Sequence, residues 1–102
     1  MSRDLIIRYR TRPEQADENS RLVKAVFASL AEINPKGFAY ATYRLADDVT
    51  FVHVAHFDGA ENPLATLPAF ADFQRDLARR CAESPAPTEA TVIGSYHSAP
   101  QP

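Results

Sequence analysis

Two histidines, His53 and His56, and four tyrosines are the side chains of this 102-residue chain best suited to moving a proton or holding a ligand oxygen. An imidazole titrates near neutrality, so small changes in surroundings decide whether it acts as an acid or a base. His53 alternates with Phe51, Ala55 and Phe57, so one strand face carries a single imidazole in an apolar wall. His56 stands three residues on and points to the opposite face. The two therefore cannot share one ion, and no cysteine or carboxylate cluster at ligand spacing joins either, so no metal site is expected. Tyr9, Tyr40, Tyr43 and Tyr96 can each hold a quinone or carbonyl oxygen, or pack across strands. Arg8, Arg10 and Arg44 lie on strands, where structural pairing outweighs recognition of an acidic substrate. Cys81 falls on the apolar seam of a helix and reads as a small core residue. His97 is expected in solvent near the chain end. Glycines at 37, 59 and 94 are too scattered for a phosphate loop.

These side chains need a scaffold, and composition limits what it can be. The chain is 45% hydrophobic with a formal net charge of −2 and a pI near 5.8. Its length suits one domain, and its apolar content suits a packed core. No basic block favours nucleic acid or an anionic membrane, and no apolar run is long enough to span a bilayer. Met1-Ser2-Arg3-Asp4 leads straight into a strand, with no signal-peptide pattern. One cysteine cannot form an internal disulfide, which suits a reducing cytoplasm.

Leu5 to Arg10 reads as a first strand. Pro13 opens a helix whose stripe is Leu22, Val23, Val26, Phe27, Leu30 and Ile33, and Asn34-Pro35-Lys36-Gly37 stops it. Phe38–Leu45 and Val49–Phe57 form a hairpin about Asp47-Asp48. After a loop holding Pro63, a second helix starts at Pro68 with a seam of Phe70, Phe73, Leu77 and Cys81. Ser84-Pro85-Ala86-Pro87 reads as a linker, and Ala90–His97 as the fourth strand. The order βαββαβ predicts an α+β, ferredoxin-like domain over residues 1–97, with a frayed tail at 98–102. Its antiparallel sheet carries both helices on one face. The strand at 49–57 is apolar on both faces, so something must cover the face without helices, and a second copy of the chain does so most simply. RNA stacking on that face is disfavoured, because Asp47 and Asp48 occupy the positions where an RNA-binding strand has a basic residue and a glycine.

The segment Arg8-Tyr9-Arg10-Thr11-Arg12-Pro13, the strand with Phe51 and His53, the stretch Asn62–Phe70 and the ending Ile93-Gly94-Ser95-Tyr96 together resemble the dimeric α+β barrel superfamily. Within it, the chain is most similar to the antibiotic biosynthesis monooxygenase-like group. The likeness spans residues 4 to 97 on loose core and turn positions. It implies a homodimeric barrel across a twofold axis and a ligand cleft between sheet and helices in each subunit. Some of that group oxidise aromatic polyketides without flavin or metal, others degrade haem, and many have no known activity. The haem degraders carry a tryptophan after the third strand and an Ala-Phe-x-x-His helix motif. Here Ala69-Phe70-Ala71-Asp72-Phe73 puts Phe73 in the histidine's place, and tryptophan is absent, which argues against haem chemistry.

The expectation is therefore a small-molecule enzyme needing no cofactor, a monooxygenase or isomerase acting on an aromatic or polyketide-like substrate. His53 is its proton acceptor, and Tyr9, Tyr40, Phe51, Asn62, Phe70 and Phe73 line its pocket. Val52, Val54 and His56 face the partner in a homodimer. The alternative is a non-catalytic dimer that binds a small ligand or has a structural role. Neither reading involves nucleic acid or a membrane.

Overall fold

The computed structural model describes residues 2–59 and 61–98. Strand β1 (Arg3–Thr11) leads through a 3₁₀ turn (Pro13–Gln15) into helix α1 (Ala16–Ile33), followed by β2 (Phe38–Arg44) and β3 (Thr50–Phe57). A second 3₁₀ turn (Pro63–Thr66), helix α2 (Pro68–Arg75), the single turn α3 (Leu77–Arg80) and β4 (Cys81–Ala90) complete the chain. The four strands form one sheet in the order β2-β3-β1-β4, and every neighbouring pair is antiparallel. This is the α+β, ferredoxin-like arrangement that the element order predicts. No helix among the described residues is long and apolar enough to cross a membrane.

Local chemistry sets the boundaries. Pro13 stands where the first turn needs no N–H, and Asp17 and Glu18 meet the positive end of α1. α1 ends where Asn34 turns left-handed at φ 43° and its N–H reaches the Leu30 carbonyl. Gly37 follows at φ +67°, where a Cβ would sit 3.3 Å from that of Asp58, so this position needs glycine. In the β2–β3 turn the Asp47 carboxylate accepts from the backbone N–H groups of Val49 and Thr50 and from the Thr50 hydroxyl. Those bonds hold its pKa below the usual carboxylate value, the hydroxyl contributing most.

The C-terminal third differs from the sequence expectation. The Ser84–Pro87 segment is strand rather than linker, and residues 91–98 lie beyond the last strand. β4 is an edge strand, where an absent proline N–H leaves no ladder bond unmade on the outer side. Pro85 lies in a register shift, where β4 carries an extra residue between the Arg8–Ala86 and Arg10–Glu83 pairs. The second helix is also shorter than its apolar spacing suggests. It breaks at Asp76, and Cys81 begins β4, buried as expected but on a strand. Of the expected tail 98–102, residues 99–102 lie outside the described residues.

Both helices cover one sheet face. Between them and the sheet lies the core, built on Tyr9, Val23, Val26, Phe51, Leu64, Leu67 and Phe73. Strand register puts Ile7, His53 and Thr42 in one row on this face, with Tyr9 and Phe51 in the next. The opposite face carries the rows Ile6–Val54–Ala41 and Arg8–Val52–Tyr43. There Ile6, Val54 and Tyr43 are exposed large hydrophobics.

Candidate functional site

His53 sits at the centre of the core, 3% exposed. The Tyr9 hydroxyl lies 2.8 Å from its Nε2. On the other side of the ring, the Tyr40 hydroxyl lies 2.5 Å and the Thr42 hydroxyl 3.1 Å from Nδ1. The network continues from Tyr9 into α1, where Asn19 Nδ2 is 2.8 Å from the phenol oxygen. Arg80, from the turn before β4, donates through Nε to Asn19 Oδ1 at 3.0 Å and through Nη2 to the Phe73 carbonyl at 2.6 Å. Asn19 has no exposed surface and Arg80 is 4% exposed. Six polar side chains thus form one connected, largely buried network. No fully enclosed side-chain nitrogen or oxygen among the described residues lacks a partner.

The hydrogens in this network can be assigned from Arg80 outward. A guanidinium only donates, so the Asn19 atom facing it is the carbonyl oxygen and the one facing Tyr9 is the amide nitrogen. Tyr9 therefore accepts from Asn19 and donates its own proton to His53 Nε2. The imidazole proton is then on Nδ1, directed at the Tyr40 and Thr42 oxygens. Five side chains are linked in sequence, each donating to the next: Arg80, Asn19, Tyr9, His53, then Thr42 or Tyr40. In such chains each bond polarises the next.

Burial keeps the network in this state. It lowers the His53 pKa from 6.5 to about 4, so the ring is neutral at physiological pH. It raises both phenols, Tyr40 to about 12 and Tyr9 further still, although the Thr42 and Asn19 hydrogen bonds act in the opposite sense. At neutral pH His53 Nδ1 already holds a proton, and Nε2 is occupied by Tyr9. In this arrangement His53 accepts through Nε2 and donates through Nδ1, so neither ring nitrogen is free in the resting network.

Aromatic rings enclose the network. Tyr9 stacks on Phe51 with centroids 5.6 Å apart, Tyr40 on Phe27 at 5.1 Å, and Phe73 lies 5.6 Å from the His53 ring. Phe70 stacks behind Phe73 at 5.9 Å. Of the residues expected to line a pocket, Tyr9, Tyr40, Phe51, Phe70 and Phe73 therefore do come together. Asn62 does not join them: its side chain accepts from the Leu64 N–H and caps the 3₁₀ turn. Val52, Val54 and His56 lie on the face away from the helices. There the His56 ring lies 2.8 Å from Asp4 and 3.0 Å from Asp58, contacts that raise its pKa, the Asp4 hydrogen bond most.

His53 itself is almost wholly enclosed, whereas Thr42 lines a cleft. A cleft of 220 Å³ opens between α1 and β2, lined by Ser20, Val23, Lys24, Phe27, Thr42, Arg44 and Phe51. An enclosed apolar cavity of about 150 Å³ takes benzene, so this cleft suits one substituted ring. Arg44 at its rim lies over Phe51 and is held by Asp17 at 3.1 Å. The Thr42 hydroxyl accepts from His53 and can turn its own hydrogen either to the Tyr40 oxygen, a bond that opposes the rise in the Tyr40 pKa, or into the cleft. The donor chain thus ends in this cleft.

Asn19, Thr42 and Arg80 are absent from the sequence expectation, although signals for them exist. Asn19 shares its helical spacing with the buried Ala16, Val23 and Val26, so it is a polar residue on an apolar stripe. Thr42 pairs with His53 once the hairpin register is fixed. Arg80 follows Phe73 and Leu77 at helical spacing, where its charge reads only as a complement to the helix dipole.

The chain shares this fold with many solved structures. One from Bacteroides thetaiotaomicron, provisionally named an antibiotic biosynthesis monooxygenase, superposes with a TM-score of 0.79 at 11% identity, covering 97% of this chain and 96% of that one. A protein with the same provisional name from Chloroflexus aurantiacus gives 0.70 at 18% identity, covering 95% and 98%. A protein of unknown function from Nitrosomonas europaea gives 0.71 at 17% identity, covering 98% of each. No family model matches the chain, and no curated protein matches it. At these identities the likeness establishes the antibiotic biosynthesis monooxygenase-like fold and leaves the chemistry to the residues.

Proposed function

We propose that this protein is an enzyme that works without a cofactor, a monooxygenase or isomerase that binds an aromatic hydroxy compound in the Thr42 cleft and stabilises its deprotonated form. One observation carries this reading: a donor chain rooted in a buried cation and ending on the Thr42 hydroxyl at the cleft wall, which a ligand oxygen would draw away from Tyr40. Donors fixed in advance at a developing oxyanion are a strong source of rate enhancement in a dry site. The Lys24 and Arg44 side chains at the rim favour the same anionic form. An electron-rich anion of this kind can supply the electrons that dioxygen needs. When an activated methylene becomes a carbonyl, one oxygen atom stays in the product, the other leaves as water with the two hydrogens, and all four electrons come from the substrate. Return of the proton to another carbon gives isomerisation instead. The 220 Å³ cleft favours a single ring over a fused polyketide. The provisional names of the fold neighbours agree with the oxygenase form.

The protein acts, in this proposal, as a homodimer joined through the sheet face that bears Ile6, Tyr43, Val52 and Val54. The segment 91–98, with Val92, Ile93 and Tyr96 exposed, is a second apolar surface for the partner. The single buried thiol, Cys81, supports a cytoplasmic setting. Oxygen uptake and product formation with a panel of monocyclic quinols and hydroxybenzenes test the catalytic reading. Thr42→Val removes the terminal donor while keeping the side-chain shape. It is expected to lower kcat about 100-fold, the scale of losing one oxyanion donor, with KM changed far less. Equal turnover in wild type and variant overturns the role given to Thr42, and no turnover of any member of the panel favours the non-catalytic ligand-binding reading, which the enclosure of His53 supports.

A further inference from the structure

Arg80 is a buried cation with no carboxylate in direct contact, although Glu18 in the same groove feels its charge. No carboxylate among the described residues lies within 4.0 Å of its guanidinium. The Phe73 ring 5.3 Å away and the carbonyl end of α2 offset part of the cost of burying it. Its Nε and Nη2 are hydrogen-bonded, whereas Nη1 has no partner among the described residues. Since no fully enclosed side-chain nitrogen is without a partner, Nη1 must open to the surface. Arg80 lines a 630 Å³ groove between α1 and α2 on the far side of the network from the Thr42 cleft. Three carboxylates line the same groove, and each is matched to an arginine one helical turn away: Glu18 to Arg21, Asp72 to Arg75 and Asp76 to Arg79. The one unmatched charge among the described residues of the groove is that of Arg80.

We infer that the α1–α2 groove is a second binding site, which takes the carboxylate of a small monoanion onto Arg80 Nη1. Leu22, Ala25 and Ala69 in the groove wall provide the apolar surface for the rest of such a ligand. The rim carboxylates disfavour a doubly charged phosphate, while the single surplus positive charge matches one carboxylate. The site is distinct from the proposed catalytic cleft and does not depend on it.

The experiment is an NMR titration of the ¹⁵N-labelled full chain with benzoate, its neutral isostere benzamide, and inorganic phosphate. A buried side-chain N–H exchanges slowly, so the Arg80 Nε–H resonance is a direct reporter, and no variant that might fail to fold is needed. Benzoate is expected to shift Arg80 Nε–H and the Leu22 and Ala69 amides saturably, with benzamide and phosphate each at least about tenfold weaker, the ratio that separates charged from neutral hydrogen bonding. Benzamide binding as tightly as benzoate overturns the proposal, as does tighter phosphate binding. So do shifts confined to the exposed Arg75 and Arg79, shifts confined to the Thr42 cleft, or no saturable shift at all.

Discussion

Acidification tests the donor network directly, because its centre is a neutral imidazole. In the unfolded chain His53 takes up a proton near pH 6.5, whereas in the folded chain burial delays this until about pH 4. Between those values the unfolded state binds one more proton than the folded state, so stability falls as pH falls. The contribution is complete above pH 6.5 and is lost by about pH 4. At about 1.4 kcal/mol per pH unit, the loss comes to about 3 kcal/mol, a large part of the 5–15 kcal/mol that holds a typical domain together. His56 has the opposite sign, since its folded pKa is raised. Its stabilisation is present below pH 6.5 and fades above it, so it adds little slope inside the window. Asp47 and Glu18, whose pKa values are lowered, lose their contributions mainly at the acid end. Urea unfolding of wild type and His53→Gln at half-unit steps from pH 7 to pH 4 isolates the His53 part, because the carboxylates cancel in the difference. With a urea dependence of about 2 kcal/mol/M, the wild-type midpoint should fall about 1.5 M further than the variant's. Parallel pH dependences in the two proteins would refute the enclosed, neutral His53 and the network built on it.

Two further outcomes follow from the geometry. Asn19→Asp replaces the donor to Tyr9 with an acceptor and supplies Arg80 with a carboxylate, so Tyr9 should donate to the new carboxylate and the His53 proton should move to Nε2. Long-range ¹H–¹⁵N spectra read that tautomer directly, and a proton remaining on Nδ1 would contradict the assigned direction of the chain. For the sheet face, sedimentation velocity at micromolar concentration should give a dimer, and Val54→Lys, which places a charge beside Ile6 and Ala41, should give a folded monomer. A wild-type monomer would remove the barrel.

Much of the fold is legible in the sequence because local signals and long-range packing agree. Pro13, Asn34, Gly37 and Asp47 punctuate the first half where the structure does, and alternation along residues 49–57 correctly separates the helix-facing His53 from His56. The C-terminal strand is misplaced by sequence reasoning because two prolines read as breakers, and only the sheet order shows that they stand on an edge that tolerates them. The site is legible in part. Tyr9, Tyr40, Phe51 and Phe73 gather round His53 as their types suggest, but the direction of proton donation depends on Arg80 and Asn19, which are 61 residues apart. No local pattern links those two. Asn62 illustrates the converse, since a polar loop residue beside a proline proves to be a cap.

The central position of β1 has a consequence for how the protein is made. β1, made before the other three strands of its sheet, lies between β3 and β4, and its Asp4 pairs with Ala90. At the usual translation rate of roughly 5–20 residues per second, the chain spends roughly 4–17 s between making those two residues. Throughout that interval Leu5, Ile6 and Ile7 lack at least one of their neighbouring strands, and the donor network cannot close until Arg80, which directly precedes β4, has been made. A ribosome-bound chain stalled before β4 should therefore hold a half-built sheet with an adhesive inner edge, a natural client for a chaperone.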